Sequence, residues 1–213
     1  MFDLKRIASY CEKHSTPPKE ILLQLERETN LKTLSPQMLS GPLQGQLLSM
    51  ISRWVSPKAV LEIGTFTGYG TICLASGLRK NGVIHTIEVN PELSAISRKY
   101  FGMAGILHQV KHHIGDAAQL IPVIDEQFDM VYIDAGKQDY SLHYDLTIDK
   151  VSQGGVILVD NVLWSGKVGS GIDDNDTRVM EAFNRKISED NRVENLLLPI
   201  RDGLMIAIKN SFL

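Results

Sequence analysis

VLEIGTFTGYGT, residues 60–71, compresses a strand, a tight turn and the start of a helix into one short stretch. The apolar run KAVLEI (58–63) stops at Gly64, and further glycines follow at positions 68 and 70. Glycine permits tight turns and lets a ligand approach the backbone closely. The spacing is G-x-x-x-G-x-G, which matches neither the dinucleotide fingerprint nor a phosphate-binding loop with its lysine. What remains is an acid, Glu62, two residues ahead of the first glycine.

The same rhythm continues along the chain. VIHTIE (83–88), VKHHIG (110–115), FDMVYID (128–134), GGVILVD (154–160), RVENLLLP (192–199) and DGLMIAIK (202–209) read as strands. Helical stretches lie between them at 68–82, 91–105, 116–126, 138–152 and 176–190. Short strands alternating with helices indicate parallel βαβ units in a sheet covered on both faces. The last two runs are joined only by residues 199–203, so the final strand is expected to be antiparallel. The first 55 or so residues look helical, with PPKEILLQLERETN (17–30) and PLQGQLLSMISRWV (42–55) each carrying an apolar stripe. This segment is expected to cap the later core or to bury its apolar side against another subunit. The whole is expected to be a single α/β domain over 1–213, with 1–55 as helical cap and 56–213 as core.

Composition narrows the function. The chain has 213 residues, 43% hydrophobic and 22% charged, which suits one well-filled domain. A net charge of −3 gives no sign of non-specific phosphate binding. No stretch approaches the roughly 20 apolar residues that span a bilayer, and MFDLKRIASYCEKHS at the start lacks a signal-type apolar run. Cys11 and Cys73 show neither zinc spacing nor a disulfide framework, so a reducing cytoplasm is the expected compartment and Cys73 a core residue. His112 and His113 sit on a strand, one facing each way, and read as structural.

In open α/β sheets, ligands sit outside the carboxyl ends of the strands. Glu62, Gly64, Glu88, Asp134, Asp160 and Asn161 all fall at such ends. A carboxylate at the position of Glu88 can accept both hydroxyls of a ribose.

Taken in order, VLEIGTFTGYGT, TIEVNPE (86–92), FDMVYIDAGKQDY (128–140) and GGVILVDNVLWSGKV (154–168) resemble the class I S-adenosylmethionine-dependent O-methyltransferases of the metal-dependent catechol and caffeoyl-CoA type. The resemblance covers roughly residues 35–209. It implies a Rossmann-like seven-stranded, mostly parallel sheet with extra N-terminal helices, and S-adenosylmethionine as cofactor. It also implies that Glu62, Gly64 and Gly70 line the cofactor's methionine end, that Glu88 holds the ribose, and that Asp116 and Ala117 sit by the adenine. Ser40, in MLSGPLQGQLL (38–48), matches the family's N-terminal cofactor-touching segment. A homodimer is the family habit.

Asp134, Asp160 and Asn161 offer only oxygen ligands, which suits a hard cation such as Mg²⁺, or Ca²⁺ or Mn²⁺, and not zinc. Such a cation would lower a phenol's pKa from about 10 and fix its oxygen. Two neighbouring oxygens chelate better than one, so catechols and vicinal diols are the natural acceptors. In the family the lysine matching Lys137 is the general base, and Asp134 and Lys137 are the expected catalytic pair. Trp164 is a candidate wall for a flat acceptor, and Tyr140 has no assigned role. Gly136 departs from the acidic residue that plant caffeoyl-CoA enzymes carry there. The loop GKVGSGIDDNDTR (166–178) is rich in Gly and Asp, misses the EF-hand spacing, and is expected to be a solvated, mobile lid. Three alternatives remain open: a methyltransferase for a hydroxylated uridine in tRNA, a cofactor-binding protein without catalysis, and a nicotinamide dehydrogenase. Intact Asp134, Lys137, Asp160 and Asn161 oppose the second, and the glycine spacing opposes the third.

Overall fold

The computed structural model describes residues 4–211. Strands β1 (Ala59–Ile63), β2 (Val83–Glu88), β3 (Val110–Ile114), β4 (Phe128–Ile133), β5 (Val151–Asp160), β6 (Val193–Leu198) and β7 (Leu204–Lys209) form one sheet in the order β3-β2-β1-β4-β5-β7-β6. β1 to β5 are mutually parallel. β7 runs antiparallel to β5, and β6 antiparallel to β7, as the short connection between them requires.

Eight helices accompany the strands in the described residues: α1 (Leu4–Lys13), α2 (Glu20–Lys32), α3 (Gly41–Val55), α4 (Tyr69–Ala75), α5 (Ser94–Met103), α6 (Ala117–Val123), α7 (Tyr140–Ile148) and α8 (Asn175–Glu189). Alternate residues of each strand point to opposite faces, and two cores result. Leu61, Val131 and Ile157 meet Ile121, Tyr144 and Phe183 from α6, α7 and α8. Val60, Met130 and Leu158 meet Leu25, Leu48, Leu74 and Phe101 from α2, α3, α4 and α5. All five residues of β1 are buried, the pattern of a strand covered on both sides. Each fully buried aliphatic or aromatic side chain here stabilises the fold by about 1.5–3 kcal/mol. The stripe of α3 faces this sheet through Leu48 and Ile51. No helix among the described residues is long and apolar enough to cross a membrane.

Register sets one row that matters later. Glu62 pairs with Thr86 on β2 and with Tyr132 on β4, and Tyr132 pairs with Leu158 on β5. These four side chains lie abreast on the face covered by α2 to α5.

Several boundaries differ from the sequence expectations. α4 ends at Ala75, not near Gly82, because its last turn runs into α3. The Ser52 hydroxyl donates to the carbonyl of Leu74 at 2.5 Å, and a Cβ on Gly77 would lie 2.1 Å from the Ser52 carbonyl carbon. The helix expected over 138–152 ends at Ile148, and β5 begins at Val151 instead of Gly154. Val151 pairs with Phe128 across a register shift, and Gly154 takes φ +72°, the signature of a bulge that apolar periodicity does not reveal. Finally, Pro91 opens a short 3₁₀ turn, with α5 starting at Ser94.

The histidines and the acidic loop are structural. His113 Nε2 lies 3.1 Å from His85 Nδ1 on one face, and His112 meets the Phe101 ring edge-on on the other. Asp174 caps α8 by accepting from the Thr177 N–H and pairs with Lys167 at 2.6 Å, while Asp173 pairs with Arg178 at 2.8 Å. Cys73 is buried and Cys11 exposed, both as free thiols.

Candidate active site

The chain order reverses between β1 and β4, so the carboxyl ends of these strands open onto a crevice. A narrow cleft lies there, and Ser40, Glu62, Gly64, Gly70, Tyr132 and Asp134 all line it. Five of the sequence-derived candidates therefore share one space. Ser40 enters from the N-terminus of α3 and is 7% exposed.

Glu62 is fully buried at the cleft's floor. The Thr86 hydroxyl donates to its Oε2 at 2.6 Å, and the Thr71 hydroxyl donates to the same oxygen. Burial pushes the carboxyl up to about 8; the two threonines oppose this, and Asp134 and Glu88 add to it. Oε1 has no partner among the described residues. A Cβ on Gly70 would lie 2.6 Å from that oxygen, so glycine keeps the space beside it clear. A buried carboxylate oxygen facing an open cleft is a seat for a cationic group, and the ammonium of a methionine moiety fits it.

Glu88, at the end of β2, is outside the cleft lining. Its Oε2 accepts from the Phe66 N–H at 2.7 Å and Oε1 from the Asn90 N–H at 2.9 Å. It ties down the glycine turn, in which Phe66 holds φ +50°. Each oxygen keeps a second lone pair for a hydroxyl. Asp116 also lies on this edge: the Gly115 N–H donates to the Glu88 carbonyl at 2.8 Å, and Asp116 Oδ1 caps α6 by accepting from the Ala118 N–H at 2.9 Å. Ala117 is buried behind it. The structure thus keeps Glu88, Asp116 and Ala117 at the same edge, beside the cleft that Ser40, Glu62, Gly64, Gly70 and Asp134 line.

On the far side of the seam, Asp134 and Asp160 end neighbouring strands. The Tyr132 hydroxyl is within hydrogen-bond distance of both, 3.0 Å from Asp160 Oδ2 and 3.3 Å from Asp134 Oδ2. Neither carboxyl makes an ion pair among the described residues. Burial, then the charge of Asp160, pushes Asp134 up to about 7, while Lys137 pulls the other way. Burial raises Asp160 as well. Asn161 follows with φ +59°, and its backbone N–H donates to Asp160 Oδ1 at 2.8 Å. Among the described residues no three His, Cys, Asp or Glu side chains converge as ligands. A cation here would have two carboxylates, the Asn161 carboxamide and non-protein oxygens, a donor set for a hard ion. Two adjacent acids that make no ion pair among the described residues fit such an ion.

Lys137 leads the 3₁₀ turn after β4, and its Nζ lies 4.5 Å from the Trp164 ring centroid. Trp164 holds φ +48° and a buried indole N–H without a partner among the described residues. Tyr140, unassigned from sequence, donates to the backbone carbonyl of Asp160 at 3.1 Å and anchors the end of β5. Sequence reasoning missed Tyr132, Thr71, Thr86 and Arg201. Arg201, in the β6–β7 turn, donates to the Leu39 carbonyl at 3.3 Å and its charge lowers both Asp134 and Asp160. The first and third of these share a face with Glu62 by strand parity, a signal that was present but needs the register to be used.

Known proteins resemble this chain in sequence and fold. The O-methyltransferase family model matches residues 12–210. The catechol O-methyltransferase of Niastella koreensis is 32% identical over 186 residues, covering 81% of this chain and 83% of that one. Caffeoyl-CoA O-methyltransferase 1 of Arabidopsis thaliana is 31% identical over 196 residues, covering 84% and 74%. The S-adenosylhomocysteine-bound methyltransferase PaMTH1 of Podospora anserina superposes with a TM-score of 0.90 at 28% identity, covering 99% and 98%. The chain belongs to the O-methyltransferase family, alongside the catechol and caffeoyl-CoA enzymes that its motifs resemble.

Proposed function

We propose that this protein transfers a methyl group from S-adenosylmethionine to one hydroxyl of a catechol-like acceptor, with a divalent cation at Asp134, Asp160 and Asn161. One observation carries the reading. Two carboxyl groups that make no ion pair among the described residues adjoin a cleft whose floor presents Glu62 Oε1, itself without a partner among those residues.

Glu62 receives the ammonium of the methionine end, and Gly64 and Gly70 let the cofactor approach the backbone. Glu88 accepts the ribose hydroxyls with its remaining lone pairs, while Asp116 and Ala117 border the adenine. Ser40 closes this side. A bound Mg²⁺, or Ca²⁺ or Mn²⁺ on the same oxygens, would make an acceptor hydroxyl far more acidic and fix its place. Asp134, Asp160 and Asn161 hold that ion. Lys137, as its neutral amine, takes the hydroxyl proton and becomes the ammonium. Trp164 walls the acceptor's flat ring. The methyl then passes in line from sulfur to oxygen, and no covalent bond to the protein forms. A cytoplasmic setting suits the two free thiols. A homodimer belongs to the same reading, with exposed Met50 and Trp54 on α3 as an apolar face; light scattering tests it.

The test is a methyl-transfer screen with S-adenosylmethionine and Mg²⁺, offering catechols and, in parallel, tRNA lacking methylation. Turnover of a catechol that stops with EDTA and returns with Mg²⁺ supports the reading. Turnover unaffected by EDTA, or of tRNA alone, overturns it.

A further inference from the structure

Tyr132 is an apolar-run residue by position, yet its oxygen sits where the two acids meet. The side chain is 1% exposed, packed in the core on the face of α2 to α5, and only its hydroxyl reaches the site. That hydroxyl is the one protein group, among the described residues, hydrogen-bonded to both Asp134 and Asp160. Behind it lies Gln44 from α3, 0% exposed, whose carboxamide makes no hydrogen bond of good geometry although it adjoins the phenol.

The other contacts of Asp160 leave a gap that Tyr132 fills. The Asn161 N–H takes Asp160 Oδ1, and the Tyr140 hydroxyl takes its backbone carbonyl. These hold Asp160 to Asn161 and to α7 but not to Asp134. Asp134 has no other hydrogen bond to its carboxylate among the described residues. Two like charges at this separation repel, and without a common donor they would splay apart. A phenol has one proton, so it donates to one acid at a time and keeps both Oδ2 atoms near one point.

We propose that Tyr132 is a positioning residue for the divalent cation, its hydroxyl fixing the spacing of Asp134 and Asp160 so that their remaining oxygens form a preset pair of ligands. This rests on the cation-dependent reading above. Groups that orient metal ligands commonly contribute about 10- to 100-fold in metal affinity. A purely structural phenol would change stability and leave cation affinity alone.

The experiment is Mn²⁺ binding, followed by calorimetry and by loss of the free-ion electron paramagnetic resonance signal, on the protein saturated with S-adenosylhomocysteine. The proteins compared are the unaltered chain, Tyr132→Phe and Asp160→Ala. Tyr132→Phe should bind Mn²⁺ about 10- to 100-fold more weakly, with S-adenosylhomocysteine affinity unchanged. Its half-saturating Mg²⁺ in turnover should rise by the same factor, with kcat at saturating Mg²⁺ largely recovered. Equal Mn²⁺ affinity in Tyr132→Phe, with Asp160→Ala unable to bind, overturns the role of Tyr132 alone. Absence of Mn²⁺ binding by the unaltered chain overturns the cation reading and this inference together. If Tyr132→Phe does not fold, as shown by loss of cofactor binding, tyrosine ultraviolet difference absorption of the unaltered chain during Mn²⁺ titration replaces it. A tyrosine signal saturating with the ion supports the proposal, and a flat trace overturns it.

Discussion

Gly64 stands so close to the backbone carbonyl of Asp134 that a Cβ there would lie 1.9 Å from the oxygen. The Asp134 N–H also donates to the Ile63 carbonyl at 2.9 Å, so the ends of β1 and β4 are locked together at the mouth of the cleft. Gly64 further holds φ +103°. Gly64→Ala should destabilise the protein by about 2–4 kcal/mol, combining backbone strain with overpacking. It should weaken both cofactor and Mn²⁺ binding, since the clash displaces Asp134. Urea unfolding with calorimetry checks this, and a variant as stable as its parent would refute the packing argument.

Asp160→Ala separates the two halves of the site. Methyl transfer should fall at least about a hundredfold, because the cation loses a charged ligand. S-adenosylhomocysteine should bind nearly as before, because Asp160 lies outside the cleft lining. Turnover close to normal in this variant would eliminate the cation-dependent mechanism.

Glu62 gives a stability test with a definite sign. Its folded pKa, about 8, stands above the ordinary 4.5, chiefly because of burial. The folded state therefore keeps a proton that the unfolded chain releases. The associated stability is complete below about pH 4.5 and is lost as pH rises toward about 8. Glu62→Gln removes this loss. It should be more resistant to urea than the parent at pH 8, nearly equal at pH 4, and weaker in cofactor binding. Urea midpoints at the two pH values decide it; an identical pH slope in both proteins would show that Glu62 is ionised in the fold.

His85 carries the opposite sign. Burial, then the charges of Lys111 and His113, depress it to about 4 from the usual 6.5. The unfolded chain therefore takes up a proton first on acidification. Stability present above about pH 6.5 is lost as pH falls through about 4. His85→Leu should flatten the decline of the thermal midpoint between pH 6.5 and 4, and an unchanged decline would show that other groups control acid sensitivity.

Much of this architecture is visible in the chain because the central strands stop abruptly at a glycine or a carboxylate. Ile63 precedes Gly64, Ile133 precedes Asp134, and Val159 precedes Asp160. Those stops mark the carboxyl edge and with it most of the site. What stayed hidden depends on contacts across the sheet. Tyr132 reads as one more β-forming residue until its register with Glu62 and its reach to Asp160 are known. Thr86 is equally anonymous until it donates to Glu62. The end of α4 depends on Ser52 from another helix, and the early start of β5 on a bulge at Gly154 that no period can announce.

The reversal of strand order between β1 and β4 divides responsibility as well as space. On the proposed reading, the residues assigned to the cofactor, from Ser40 to Ala117, come from the chain before residue 120, and those assigned to the cation and the acceptor, from Asp134 to Trp164, come after it. Grafting the 162–174 turn and the 199–203 connection from a homologue should therefore change which phenol is methylated while leaving the methyl donor's grip as it was. If so, the protein is in effect a fixed donor half fastened to an exchangeable acceptor half.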